Sequence, residues 1–544
     1  MRRLLLASLT VAFAIMATGL TRPEPPDSFD LLIRGGLVLD GTGQAPFKAD
    51  VGVRSGRIEL VGQSKTAAAI ETIDAGGLVV SPGFVDVHSH TAPDIAKADR
   101  RLNETNLRQG VTTIVGGPDG GLSPGEIRSL TDAYGRNGIG TNVAFYVGHN
   151  AIRTEVMGRD HRAPTPAELE GMRALVREGM QLGAVGFSTG LMYEPGMFSR
   201  TDEVIALARE AAPFHGIYDS HVRNPAHALL DSDRETIEIG ERAGVPPKIA
   251  HEKAVGLENK GLIKDVIKLV EAARKRGVNA VTDQYPYDGA ATSTLAGIIV
   301  VPPEMRTNGE FDVRAGLRDP AVREKLRVAS EQGVNGGFAW LRATGYSHMR
   351  ITTSPEDPSL VGKYLSELAA KRRQPGFDLV SDLILTSSRP IGITLGAVHE
   401  DDVRLLMVQP WNMIASDGAY PEPARPAGHP RSTGTFARVL GRYVRVYKLL
   451  TLQEAVRKMS DFPARYVGLY DRGRLAPGMA ADIVIFDPVR IIDRSTWDEP
   501  WLLADGVRDV FVNGVGAIRG GQLTGRAPGK VLQHQTEQTT RPGA

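Results

Sequence analysis

The stretch SPGFVDVHSH, residues 81–90, sets His88 and His90 one residue apart at the end of an apolar run. Alternate residues of a strand share a face, so the two imidazoles project together toward one point. Converging neutral imidazoles make good ligands for a divalent transition metal. The chain contains no cysteine, which excludes disulfides and thiolate ligands and leaves histidine and carboxylate to hold any metal. Other polar residues close other apolar runs: His221 in GIYDSHVRN, His251 in KIAHEK and Asp417 in NMIASDG. His149 ends VAFYVGHN and reads as a hydrogen-bonded structural residue, while His161, His227 and His534 lie in helical or polar stretches and read as surface residues.

The elements that must position these groups follow from the spacing of apolar residues. Eight short runs recur from Ser81 onward: GFVDVHSH, GVTTIVGG, VAFYVGHN, AVGFSTG, GIYDSHVRN, KIAHEK, AVTDQYPY and NMIASDG. Between them lie segments such as TPAELEGMRALVREGMQLG and GLIKDVIKLVEAARKRG, whose apolar residues recur at three- and four-residue steps. Alternating strand and helix implies an α/β fold with a parallel sheet, and eight units close into a TIM-like (β/α)8 barrel over residues 81–467. In such a barrel chemistry gathers at the C-terminal strand ends, where His88, His90, His221, His251 and Asp417 fall. The seventh and eighth runs are separated by residues 301–405, read as an inserted helical subdomain that covers the barrel mouth. Residues 22–80 and 468–532 are β-rich and broken by glycine turns. Neither piece is long enough alone, so both termini are expected to join in one small β-sandwich domain. Residues 533–544 read as a disordered tail.

Composition narrows the function. With 544 residues, 42% hydrophobic and 23% charged, the chain can bury a sizeable site. A formal net charge of +1 leaves no electrostatic footprint for nucleic acid or an anionic membrane, and neither partner is expected. The N-terminus, MRRLLLASLTVAFAIMATGL, carries two arginines, an apolar stretch and then small residues. That is the layout of a signal peptide over residues 1–21, cleaved near residues 19–21, which implies an exported, periplasmic or secreted protein with no stable membrane span after cleavage. An uncleaved anchor is the alternative reading.

The ordered set PGFVDVHSH, GVTTIVGGPDGG, GFSTGLMYEPG, YDSHVRN, AHEK, DQYPYDG and IASDG resembles the amidohydrolase superfamily, and within it the D-aminoacylase branch of N-acyl-D-amino-acid deacylases. The resemblance spans nearly the whole mature chain. It implies that His88 and His90 serve one metal position, His221 and His251 a second, and Asp417 stands beside the attacking water. It implies Zn²⁺, one or two ions per chain. The best-known members carry a cysteine after strand two, where this chain has GGPDGG; Asp119 is the natural substitute as a ligand, or else only shapes a glycine-rich turn. Family position also suggests Tyr193, Lys253 and Arg431 for substrate binding, the cations pairing with the carboxylate of an N-acyl amino acid. Arg223 is a further possible clamp.

The implied activity is metal-dependent hydrolysis of an N-acyl amino acid, a small-molecule substrate, to a carboxylic acid and a free amino acid. A metal ion acidifies bound water and polarises the carbonyl, and Asp417 acts as general base and then general acid. Two rivals stay open. A cyclic amidase or dipeptidase of the same superfamily usually bridges its metals with a carboxylated lysine on strand four, and AVGFSTG has none. An exported binding protein without turnover would have no use for a base beside a metal.

Overall fold

The computed structural model describes residues 28–307, 310–334, 337–421 and 428–536. The expected signal segment lies outside these residues. Eight strands form one sheet in the order of the eight runs: β1 (Phe84–Asp86), β2 (Val111–Gly116), β3 (Asn142–Gly148), β4 (Gly186–Gly190), β5 (Ile217–His221), β6 (Pro247–Ile249), β7 (Val281–Gln284) and β8 (Asn412–Ile414). Every neighbouring pair is parallel. The seam between β8 and β1 closes just beyond the strand ends. A parallel bridge joins Ser89 to Gly418; Asp417 N donates to His88 O at 2.9 Å and His90 N to Gly418 O at 2.8 Å.

The helices between strands form where periodicity and caps coincide. Thr165 caps Pro166–Gln181 by accepting from Glu168 N, Pro166 opens the first turn, and Met172, Val176 and Met180 are buried at four-residue steps. Ile263–Lys275 buries Ile263, Val266, Val270 and Ala273 on one face and leaves its lysines outward.

The terminal pieces join as expected, in one sheet of nine strands among the described residues. Val79–Pro82 from the N-terminal part pairs antiparallel with Ile483–Phe486 from the C-terminal part, in register Ile483 to Pro82. The sheet curves back on itself through a bridge between Arg57 and Ala480, around a core that includes Leu31, Ile33, Val51, Val80, Ile483 and Phe511. Gly83 carries the chain from this sheet into β1; a Cβ there would lie 2.1 Å from Thr112 Oγ1, so only glycine permits the crossing.

Two expectations need correction. The insertion between β7 and β8 is not purely helical: Ala291–Thr294, Met349–Thr353 and Gly392–Leu395 make a three-stranded antiparallel sheet, and this layer begins ahead of residue 301. Its helices, including Pro320–Gln332 and Gly376–Thr386, pack on that sheet around Leu326, Ile351, Phe377 and Ile393, so the insertion owns a core. The start of the tail is also bound rather than free. His534 N donates to Gly183 O at 3.0 Å and Gln535 N to Gly468 O at 2.9 Å. The His534 ring fits over Gly468, where a Cβ would come within 2.2 Å of Nε2, so His534 is not a free surface residue. No helix among the described residues is long and apolar enough to cross a membrane.

Candidate active site

Strand ends and the loops that follow them bring His88, His90, Asp119, His221, His251 and Asp417 to one place. Asp119 sits at the centre. Its Oδ1 lies 3.3 Å from His88 Nε2 and 3.5 Å from His251 Nε2, and its Oδ2 lies 3.5 Å from both His90 Nε2 and His221 Nδ1. One carboxylate therefore faces four imidazoles, far more than shaping a turn requires. Asp417 Oδ1 is 3.2 Å from His90 Nε2 and 3.7 Å from His88 Nε2. Ligand atoms of His88, Asp119, His251 and Asp417 all lie within 4.8 Å of one another, a group that draws one histidine from each of the two expected pairs.

The backbone is bent to achieve this. Asp119, His251 and Asp417 have φ of 56°, 35° and 49°, left-handed values that cost a non-glycine residue energy and are held only where surroundings enforce them. The loop carrying Asp119 is pinned to β4: Ser188 Oγ donates to Gly117 O at 2.7 Å and accepts from Gly120 N at 3.1 Å. Gly190 lets the loop approach, since a Cβ there would fall 2.4 Å from Asp119 O.

The donor atoms fit a metal. His88 Nδ1 and Nε2, His221 Nδ1 and Nε2, His251 Nε2 and Asp119 Oδ1 are buried without a hydrogen-bond partner among the described residues. Each such group left unsatisfied costs about 1–3 kcal/mol, and a divalent ion shared by nitrogen and oxygen donors removes that cost. The electrostatics agree. Burial alone disfavours charge on Asp119 and Asp417, yet facing imidazoles and, for Asp417, the Arg431 guanidinium hold both carboxyls well below the usual range. Burial pulls His90 down, and bonds to Asp119 and Asp417 overcome it and lift the imidazole to about 10, so a metal bound at His90 would displace a proton.

His90, Asp119, His221 and Asp417 line a cavity of about 350 Å³ that Tyr193, Lys253 and Arg431 share, with Trp340, Ala290 and Ala291 contributed by the inserted layer. Arg431 Nη1 meets Asp417 Oδ2 at 2.6 Å, and its guanidinium lies over the Tyr285 ring at 4.7 Å. Lys253 Nζ donates to His251 O at 2.7 Å and lies 2.9 Å from His251 Nδ1; burial brings its ammonium down to about 8. Arg223 does not reach this cavity. β5 ends at His221, and two residues later the side chain turns outward to Glu235, donating Nε at 2.9 Å and Nη2 at 2.8 Å. His149 is likewise apart, buried with its Nε2 3.1 Å from Glu203.

Sequence reasoning missed a layer beneath the histidine cluster. Lys248 of β6 is fully buried between Asp219 of β5, 2.7 Å from its Nζ, and Asp283 of β7. Asp283 Oδ1 also accepts from His251 N at 2.5 Å, and Asp86 of β1 accepts from Ser416 N at 2.9 Å and Ser416 Oγ at 2.5 Å. The signal was present: Asp86 and His88, like Asp219 and His221, are spaced two apart, which puts each aspartate on the inward face one step below a histidine.

A parallel eight-stranded barrel with imidazoles and carboxylates gathered at its C-terminal rim is the architecture of a metal-dependent amidohydrolase, and the sequence model described as the Amidohydrolase family matches residues 338–516. N-acyl-D-glutamate deacylase of Alcaligenes xylosoxydans xylosoxydans is 34% identical, covering 93% of this chain and 97% of its own length. D-aminoacylase of the same organism is also 34% identical, with the same coverage. The crystal structure of N-acyl-D-glutamate deacylase from Bordetella bronchiseptica, complexed with zinc and a phosphonate inhibitor that mimics the tetrahedral intermediate, is similar at a TM-score of 0.76 and 33% identity over 93% of this chain and all of that one. The chain belongs to the D-aminoacylase family of amidohydrolases, hydrolases of carbon–nitrogen bonds other than peptide bonds.

Proposed function

We propose that this protein is a zinc-dependent deacylase of N-acyl-D-amino acids, releasing a carboxylic acid and a free amino acid. The observation that carries the reading is the placement of Asp417: its carboxylate stands between the histidine cluster and Arg431 at the cavity wall, 3.2 Å from His90 and 2.6 Å from Arg431. His88, His90, Asp119, His221, His251 and Asp417 would hold one or two ions. When bound, the metal supplies Lewis-acid polarisation of the amide carbonyl and acidification of water.

Arg431 keeps Asp417 ionised, so the carboxylate is ready to accept a proton from the attacking water and return it to the departing nitrogen. The substrate carboxylate pairs with Arg431 and Lys253, cations on one wall of the same cavity. Tyr193 and Trp340 line the sides of the cavity. The D configuration rests on the relatives, whose names specify D-amino acids. The composition of residues 1–21 supports export to the periplasm or beyond.

The test is hydrolysis of paired N-acetyl-D- and N-acetyl-L-amino acids by purified protein of measured metal content. Cleavage of the D series with bound zinc is expected. Failure to cleave either series refutes the activity, and preference for the L series refutes the configuration.

A further inference from the structure

Behind the wall of the active-site cavity, the second residue of the helix His149–Met157 serves two loops at once. Asn150 is 9% exposed and stands outside the lining of the cavity. Its amide is used at both ends. Nδ2 donates to Gly190 O at 3.0 Å and to Tyr193 O at 3.4 Å, and Oδ1 accepts from Gly190 N at 3.2 Å. Gly190 closes β4, and the turn that follows carries Tyr193, whose own N donates back to Gly190 O at 3.0 Å and whose O also accepts from Met197 N at 2.8 Å. This turn sets the Tyr193 ring against that of His221, centroids 4.5 Å apart, on the wall that Lys253 and Arg431 share. Two glycines show how closely the backbone approaches the amide. A Cβ at Gly196 would lie 2.6 Å from Asn150 Oδ1, and one at Gly120, next to Asp119, would lie 2.4 Å from the same atom.

We propose that Asn150 is a positioning residue for substrate binding, holding the turn from Gly190 to Tyr193 so that the Tyr193 side chain meets the substrate beside His221. The inference rests on the deacylase reading and adds to it a residue that acts from outside the cavity through another. Tyr193 is 41% exposed, so packing around its ring does not by itself fix where it points, and the backbone that carries it must be held instead. A carboxamide suits that task, since it donates and accepts at once and so pairs with both the N–H and the C=O of Gly190. A carboxylate of the same size lacks the donor and would set an oxygen against the carbonyls of Gly190 and Tyr193.

The test is a double-mutant cycle on zinc-loaded full-length protein, with KM and kcat measured on an N-acetyl amino acid that the unaltered protein cleaves. Asn150→Ala is expected to raise KM about tenfold, the scale of one to two neutral hydrogen bonds. Its kcat should stay within about threefold, because the histidine cluster and Asp417 are untouched. Tyr193→Ala should raise KM by as much or more, and the double variant no further than Tyr193→Ala alone, since the one residue acts through the other. Gly196→Ala crowds Asn150 Oδ1 from the loop side and should reproduce the rise in KM; it decides the matter if Asn150→Ala does not fold. An unchanged KM, additive losses in the double variant, or a loss confined to kcat or to melting temperature overturns the proposal while leaving the deacylase activity standing. Cleavage of no N-acetyl-D- or N-acetyl-L-amino acid by the unaltered protein overturns the deacylase reading, and this inference with it.

Discussion

Two rings of side chains are stacked inside one barrel, the lower fully buried and the upper partly open to the cavity, and they treat charge in opposite ways. In the lower ring, Lys248 lies between Asp219 and Asp283, and Asp86 is taken up by Ser416. In the upper ring, imidazole nitrogens of His88, His221 and His251 and an oxygen of Asp119 are left without hydrogen-bond partners among the described residues. The lower ring meets its carboxylates with a cation of the chain, although both oxygens of Asp219 take no hydrogen bond among the described residues, whereas the upper ring sets imidazole nitrogens around Asp119 with no such cation between them. Because the rings are a single strand step apart, the lower one fixes the backbone from which the upper one reaches, as Asp283 does through His251 N at 2.5 Å.

The comparison breaks most visibly in the upper ring. His221→Ala should lose metal and activity together, read by metal analysis and turnover on the same sample; full metal with full activity would remove His221 from the ring's task. Asp417→Asn should keep its metal and lose turnover by about 10²–10⁴-fold, the range for a positioned acid–base group. Near-normal turnover in that variant would show the carboxylate to be structural.

In the lower ring the expected loss is of stability. Lys248→Met leaves two buried carboxylates facing each other and should cost about 3–5 kcal/mol in urea unfolding. The triple variant Asp219→Asn, Lys248→Met, Asp283→Asn, with no charge left, should recover much of that loss; equal destabilisation of both variants would mean packing, not charge, dominates. The smallest effect is expected at the cavity wall. Arg431→Lys keeps the charge but loses the two-pronged geometry, and should raise KM about tenfold, the scale of one hydrogen bond to a charged group.

Much of this was legible in the sequence because barrel strands are short, apolar and regularly spaced. All eight runs became strands in order, and the histidines at their ends met. The terminal sheet was legible because each end alone was too short to stand. What escaped was whatever depends on meetings between distant residues. Ala291–Thr294 and Gly392–Leu395 are four residues each, too short to announce a sheet until they pair. Lys248 reads as an ordinary lysine until Asp219 and Asp283, on the neighbouring strands, close over it. Arg223, a further possible clamp, is held by Glu235 on the wall of a neighbouring cavity, a pairing that only the fold reveals.

The seam between the first and last strands has a further consequence. Its backbone bonds run through His88, His90, Asp417 and Gly418, so the final stitch of the barrel and the gathering of donors from its two ends are one event. A nascent chain whose last strand has yet to dock lacks Asp417 beside His88 and His90. Tight capture of an ion thus becomes a certificate of finished folding.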